Sequence, residues 1–365
     1  MAWRVGSSEL LSQLLRAWFG AWMPPELCGG LPGRSADTIH QDLGVFVQQR
    51  ATSRSFVGCK AHVRKCFDRV SPTVALRVLQ WWGAPTWLLK VLASFYDQQE
   101  RWVAAAGCFA PAPVQATCSL LQGCPFSPLL VNGMMAAWAL HVKRAVPSIR
   151  VGIFLDDRTL YTKGHGSVEK LVEAAQAGQV ADQAMGFELH PDKLSAFGSN
   201  VVKREALMEH ADLLGVPQTD FVLLGVNYRL EGHQAFAAKD VAAALRTRGR
   251  RIGRVAVSTT TRARLANLLM VSKFRFRAPW TRSSKASLRD WSWQVEAAVW
   301  GGPLATGRSA GPLLASTCTR SLQSWRRCSR RSGCGWALAA AQAWLARRWL
   351  LRSLRCGGES VAPCL

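Results

Sequence analysis

Apolar residues along the chain follow helical and strand periods in turn, and each change of period predicts an element boundary. Leu10, Leu11, Leu14, Leu15, Trp18, Phe19 and Trp22 recur at helical spacing with Gln13 and Arg16 between them. An amphipathic helix is expected there rather than a signal peptide. Gly, Pro and Gly in GGLPGRSA mark a loop, after which Ser35 can cap a helix with Ile39, Leu43 and Phe46 on one face. SFVGCKAHV (55–63) reads as a strand, and Ser71-Pro72 suit the cap and first position of a helix from Thr73 to Trp82. A helix from about Thr86 to Phe95 and short strands near 101–106 and 114–119 follow. The helix after Ser127-Pro128 runs to about Lys143. IRVGIFLDDRTLYT then reads as a β-hairpin with Asp156-Asp157 at its turn. A long helix is expected over Val168 to Met185, with short strands near 193–197 and 221–224.

Strands and helices alternate, yet the hairpins are tight, so the expected class is α+β, an antiparallel sheet backed by helices. From Lys239 the pattern becomes helical and basic. KDVAAALRTRGRRIGRV carries Arg246, Arg248, Arg250, Arg251 and Arg254, and a second helix follows with Ser258 and Thr259 at its start. Three regions are therefore expected: 1–235, a helical 236–300, and 301–365. The last region has ten arginines against a single acid, Glu359, and little periodicity. It reads as an arginine-rich nucleic-acid tail or as an out-of-frame GC-rich stretch, and its composition favours the second.

Charge narrows the function. A net charge of +23 and a pI near 10.5 draw polyanions, of which nucleic acid is the commonest. The eleven cysteines show no repeated CxxC or Cys/His spacing, which argues against a disulfide framework or zinc knuckle and suits a reducing, intracellular setting. No membrane segment is expected; the apolar run 335–346 is too short to span a bilayer.

Two strings carry chemistry. Adjacent carboxylates in FLDD (154–157) repel each other, and divalent cations with a preference for carboxylate oxygen would compensate them. In LLQGCPFSPLLVN, Gln122-Gly123 form a loop where the backbone can approach a ligand and an amide can hydrogen-bond it.

Taken together, the motifs resemble the reverse transcriptase domain of non-LTR retrotransposons and group II introns. That family's aspartate motif corresponds to His62, Phe67 and Asp68; its Gln-Gly-x-Pro-x-Ser-Pro motif to Gln122–Pro128; its aromatic-x-Asp-Asp motif to Phe154–Asp157. GFELHPDK matches the segment ending in a lysine, Lys193. LLGV (223–226) matches the family's Leu-Gly strand that grips the primer, and GGLPGRSA resembles part of the fingers. The resemblance covers roughly residues 25 to 230 and implies a right-hand polymerase with partial fingers, a palm and a helical thumb.

It also implies partners: an RNA template, a DNA primer, deoxynucleoside triphosphates and Mg2+, with Mn2+ as an alternative ion. By resemblance, Asp156 and Asp157 are catalytic metal ligands, and the carbonyl of Val63 reaches a metal. Phe67 excludes a ribose 2′-hydroxyl, Gln122 and Gly123 meet the nucleotide, and Lys193 serves the leaving pyrophosphate. Leu224 and Gly225 face the primer and Arg34 the template. Phe67 is equally an ordinary core residue, Lys193 a solvated turn lysine, and Arg34 a residue beside a helix cap. Arg246, Arg250 and Arg251 are expected on a nucleic-acid backbone from their charge and spacing alone.

One departure puts catalysis in doubt. His62 stands where the family has an aspartate shared by two metal ions, and imidazole is a poor substitute for a bridging carboxylate. Asp68 would lie about 20 Å further along a continuing strand. An impaired RNA-directed DNA polymerase is the leading expectation. The alternative is an inactive nucleic-acid-binding remnant.

Overall fold

The computed structural model describes residues 6, 8–10, 14–48, 55–97, 99–116, 118–231, 241–272 and 285–300. The chain divides into two units, Met1–Ala235 and Phe236–Leu365. The tail 301–365 lies outside the described residues, as do Leu11 and Gln13 of the predicted first helix.

The first unit opens with α1 (Arg16–Trp22) and α2 (Ala36–Gln48). Leu15 and Phe19 of the predicted apolar stripe are buried, whereas Leu14 is exposed. Ser35 behaves as expected, its hydroxyl accepting the Asp37 backbone N–H at 3.2 Å. β1 (Phe56–His62) leads into a short α3 (Cys66–Arg69), then α4 (Pro72–Trp81) and α5 (Thr86–Tyr96). The two short strands expected next are instead four two-residue strands: β2 (Glu100–Arg101), β3 (Ala104–Ala105), β4 (Cys108–Phe109) and β5 (Val114–Gln115). They pair as β2–β5 and β3–β4, away from the main sheet.

α6 (Phe126–Ala145) begins before Ser127-Pro128, which fall in its first turn. It is apolar on nearly every side, the mark of a central helix. Phe126, Leu130, Met134, Met135 and Trp138 are all buried. β6 (Arg150–Phe154) and β7 (Asp157–Lys163) form the predicted hairpin, and α7 (Ser167–Met185) returns across the sheet. A 3-10 turn, Pro191–Lys193, precedes β8 (Ser195–Gly198), so the strand expected at 193–197 starts later. Two short helices, α8 (Val201–Met208) and α9 (Ala211–Leu214), lead to the hairpin β9 (Asp220–Leu223) and β10 (Val226–Arg229).

The main sheet has the order β6–β7–β1–β8, with each neighbouring pair antiparallel. Its apolar face, including Val57, Cys59, Leu160 and Ala196, shares one core with α6 and α7. The α+β expectation holds. β1 is central because each of its edges is paired, and Gly58 is required within it: a Cβ there would lie 2.6 Å from the Leu160 carbonyl oxygen.

The second unit contains α10 (Val241–Gly253), α11 (Thr259–Ala266), a π turn over Asn267–Val271 and α12 (Lys285–Trp300). Leu245, Ile252, Met270, Trp291, Val295 and Ala298 form its core. Ser258 caps α11 as expected, accepting from the Thr261 N–H at 3.2 Å. Among the described residues no helix is long and apolar enough to cross a membrane.

Candidate active site

The site is built where β1 ends and β7 begins. Antiparallel pairing sets His62 directly opposite Asp157, so both side chains leave the same face of the sheet. The β6–β7 turn supplies Asp156. Phe154 pairs with Asp157, which makes Leu155 and Asp156 the turn residues. The turn predicted at Asp156-Asp157 is thus one residue earlier, and Asp157 belongs to the strand. Leu155 carries the positive φ of 56° that the tight reversal imposes. The Val63 N–H donates to the Asp156 carbonyl at 2.9 Å and ties the turn to the end of β1.

Imidazole and carboxylates meet here. His62 Nδ1 lies 2.7 Å from Asp157 Oδ1, and His62 Nε2 lies 3.4 Å from Asp156 Oδ2. The three side chains offer ligand atoms within 4.8 Å of one another and could hold a metal ion. Burial raises the Asp156 carboxyl above its ordinary range; the His62 charge opposes that shift and the Asp157 charge adds to it.

A cleft runs from this cluster between β1, the 3-10 turn and the β9–β10 hairpin. It is lined by Lys60, His62, Asp157, Lys193, Val222 and Leu224, among others. Lys193 thus lies near the carboxylates, and its charge opposes the rise of the Asp156 carboxyl. Lys60 was not singled out from the sequence. The signal was there: on a strand it stands two residues before His62 and so shares its face. Its ammonium donates to the Val222 carbonyl at 2.9 Å, and burial lowers its pKa against the pull of Asp157.

Leu224 and Gly225 make the two-residue turn between β9 and β10, with φ of 45° and 82°. Positive φ at both centres is the type I′ pattern that suits the twist of a hairpin. Leucine tolerates it poorly. Lys65, Leu155 and Leu224 all hold positive φ in the segments around the cleft, at a cost of order 1–3 kcal/mol each.

Other expected residues sit elsewhere. The chain leaves the strand after His62, so the distance expected for Asp68 on a continuing strand does not apply. Asp68 is exposed, and Gln122 Nε2 donates to its carboxylate at 3.4 Å. Gly123 beside it has φ of 88° and open space around it. Phe67 is half-buried and packs against the core. The Arg34 guanidinium hydrogen-bonds the carbonyls of Met23, Pro24 and Leu27. Its segment has another use: the Cys28 backbone N–H donates to the Ile153 carbonyl at 2.8 Å, and Asn132 Nδ2 donates to the Gly29 carbonyl at 2.9 Å. The GGLPG loop lies against the back of the β6–β7 turn. On the second unit, Arg246, Arg250 and Arg251 are exposed along α10.

Residues 8–228 match the family model described as reverse transcriptase (RNA-dependent DNA polymerase). No curated protein matches the chain. Among solved structures, telomerase from Candida tropicalis in complex with the TWJ fragment of telomeric RNA has a TM-score of 0.51 at 11% identity, covering 89% of this chain and 48% of that one. Apo telomerase from the same organism gives 0.49 at 10% identity, covering 87% and 59%. The chain thus spans about half the length of these telomerases, and at such identity the likeness concerns the fold alone.

Proposed function

The chain belongs to the reverse transcriptase family, and we propose that it engages an RNA template and a DNA primer but is impaired in magnesium-dependent nucleotide transfer. One observation carries the second half: the 2.7 Å contact between His62 and Asp157. Mg2+ requires near-octahedral oxygen donors. Here the position expected to supply a shared carboxylate supplies nitrogen, and that imidazole also occupies an oxygen of Asp157. The residues present do not fit a magnesium pair.

Binding functions survive in this reading. Lys60 and Lys193 place two cations in the cleft for a phosphate-bearing ligand. Gln122 and Gly123 form an exposed loop suited to a nucleotide, with Phe67 screening against a 2′-hydroxyl. The rigid Leu224-Gly225 turn meets the primer, and Arg246, Arg250 and Arg251 meet phosphates. The affinity with non-LTR and group II intron enzymes rests on the motif strings.

Primer extension on an RNA template tests the proposal, with template–primer binding followed by fluorescence anisotropy. The native protein should bind the hybrid and extend it poorly with Mg2+. His62→Asp should raise extension on the order of a hundredfold, the scale of rate lost when reacting groups are misplaced. Asp156→Ala serves as the blank. Robust extension by the native protein, abolished in Asp156→Ala, would refute the impairment.

A further inference from the structure

We propose that the His62–Asp156–Asp157 cluster holds a single zinc-class divalent ion, bound by His62 Nε2 and Asp156, with Asp157 fixing the imidazole. The inference rests on the reading that the magnesium pair is lost, and it assigns the same residues a different ion.

The two nitrogens of His62 are not equivalent. Nδ1, at 2.7 Å from Asp157 Oδ1, makes a short hydrogen bond and must carry the donated proton. Nε2 sits 3.4 Å from Asp156 Oδ2, beyond the usual range of an N–H···O bond. With Nδ1 as the donor, an imidazole that binds a metal ion offers its Nε2 lone pair on the side of that carboxylate. Zinc bonds to histidine nitrogen and carboxylate oxygen are about 2.1 Å long, so two ligands on a tetrahedral ion lie roughly 3.4 Å apart. On octahedral Mg2+, with bonds of about 2.0–2.1 Å, neighbouring ligands lie roughly 2.9 Å apart. The observed separation matches the tetrahedral edge.

Asp157 then has a defined task. A carboxylate accepting the second N–H of a metal-bound histidine fixes its tautomer and raises its basicity. The strand register brings the two side chains together, because Asp157 stands directly across from His62. The donor set is mixed nitrogen and oxygen, for which affinity rises from Mn2+ through Co2+ toward the later ions, with Mg2+ far behind. Two protein ligands leave positions open to water or to a phosphate oxygen held by Lys60 and Lys193.

Cobalt reports the site directly. Co2+ titrated into the full-length protein without nucleic acid should give the visible d–d absorption of a tetrahedral ion, one per chain, reversed by excess Zn2+ and not by millimolar Mg2+. His62→Gln and Asp156→Asn should each abolish it, with folding checked by circular dichroism. Asp157→Ala should weaken binding about 10- to 100-fold, the usual effect of losing such a partner. His62→Asp should shift preference toward Mg2+. Absence of the band, a band that survives His62→Gln, or a thiolate charge-transfer band that reveals cysteine ligands would each overturn the assignment. None of these readings depends on primer extension, so the site can fail while the impaired-polymerase reading stands, and the reverse.

Discussion

A Cβ on Gly29 would lie 2.6 Å from the backbone nitrogen of Leu155, closer than real contacts allow. Two motifs remote in sequence are thus in backbone contact, and the β6–β7 turn bearing Asp156 is braced from behind. Gly29→Ala should displace the turn and cost about 1–3 kcal/mol, the usual range for forcing added atoms into a packed site. Gly20→Ala is the control. Gly20 lies within α1 with nothing near its Cβ position, so alanine there should gain about 0.5–1 kcal/mol. Urea unfolding of both variants checks this, and equal midpoints would show that the turn has room to spare.

Arg158, the residue after Asp157, points to the opposite face and pairs with Asp182 of α7 at 2.7 Å. Its guanidinium also lies 4.4 Å from the Trp138 ring. Arg158→Met should cost about 3–5 kcal/mol, because it leaves a buried carboxylate without its cation. Burial already raises the Asp182 carboxyl, with Arg158 opposing the rise, so the variant should raise it further. A raised acid favours the folded state while protonated and loses that support as pH climbs through its folded value. The deficit relative to the native protein should therefore shrink on acidification, and Asp182→Asn should rescue part of it. Thermal melts at two pH values would show a constant gap if the pair does not matter.

His40, fully buried in α2, bonds the Tyr228 hydroxyl of β10 through Nδ1 at 2.7 Å. Burial lowers its pKa from 6.5 to about 4, with a hydrogen bond to the Leu224 backbone opposing the fall. A histidine depressed in the fold gives its full support above the unfolded value and loses it as pH drops from about 6.5 to 4. The loss amounts to roughly 3 kcal/mol at most, at 1.36 kcal/mol per unit. His40→Gln should flatten the pH dependence across that window, as read from denaturation midpoints. An unaltered slope would assign the acid sensitivity to other groups.

Arg246, Arg250 and Arg251 are exposed on α10, whereas Arg248 is held by the Leu269 carbonyl. Replacing the three exposed arginines with glutamine should weaken nucleic-acid binding equally across sequences. The logarithmic salt slope should fall by about 0.7–0.9 for each phosphate contact removed. Arg248→Gln should lower stability and leave the slope unchanged. A slope unaffected by the triple substitution would count against α10 as the backbone contact.

Local pattern carried much of the fold. The strand read over 55–63 and the hairpin read over 149–162 placed the two strands that carry His62 and Asp157. Ser35 and Ser258 were legible as caps because an N-cap is satisfied within three residues of itself. Legibility failed where geometry is set from a distance. The β6–β7 turn moved by one residue because pairing register fixes it. The GGLPG loop gave no sign that it braces the β6–β7 turn, since that contact is made only after β6 is in place. The three carbonyls that Arg34 bonds gave no local sign either, because only the fold of the loop before it brings them together.

The same division holds at the candidate site. By itself the sequence determined that two adjacent carboxylates follow an apolar strand, that histidine replaces an expected aspartate, and that basic helices follow. Side-chain chemistry and spacing are written in one dimension, and that was enough to mark the family. Only the tertiary structure decided what the histidine does. Antiparallel register put its Nδ1 on Asp157 and left Nε2 facing Asp156 at 3.4 Å. Strand pairing joins residues at a sequence distance that no local pattern encodes, and a one-residue slip would have turned the imidazole to the other face of the sheet.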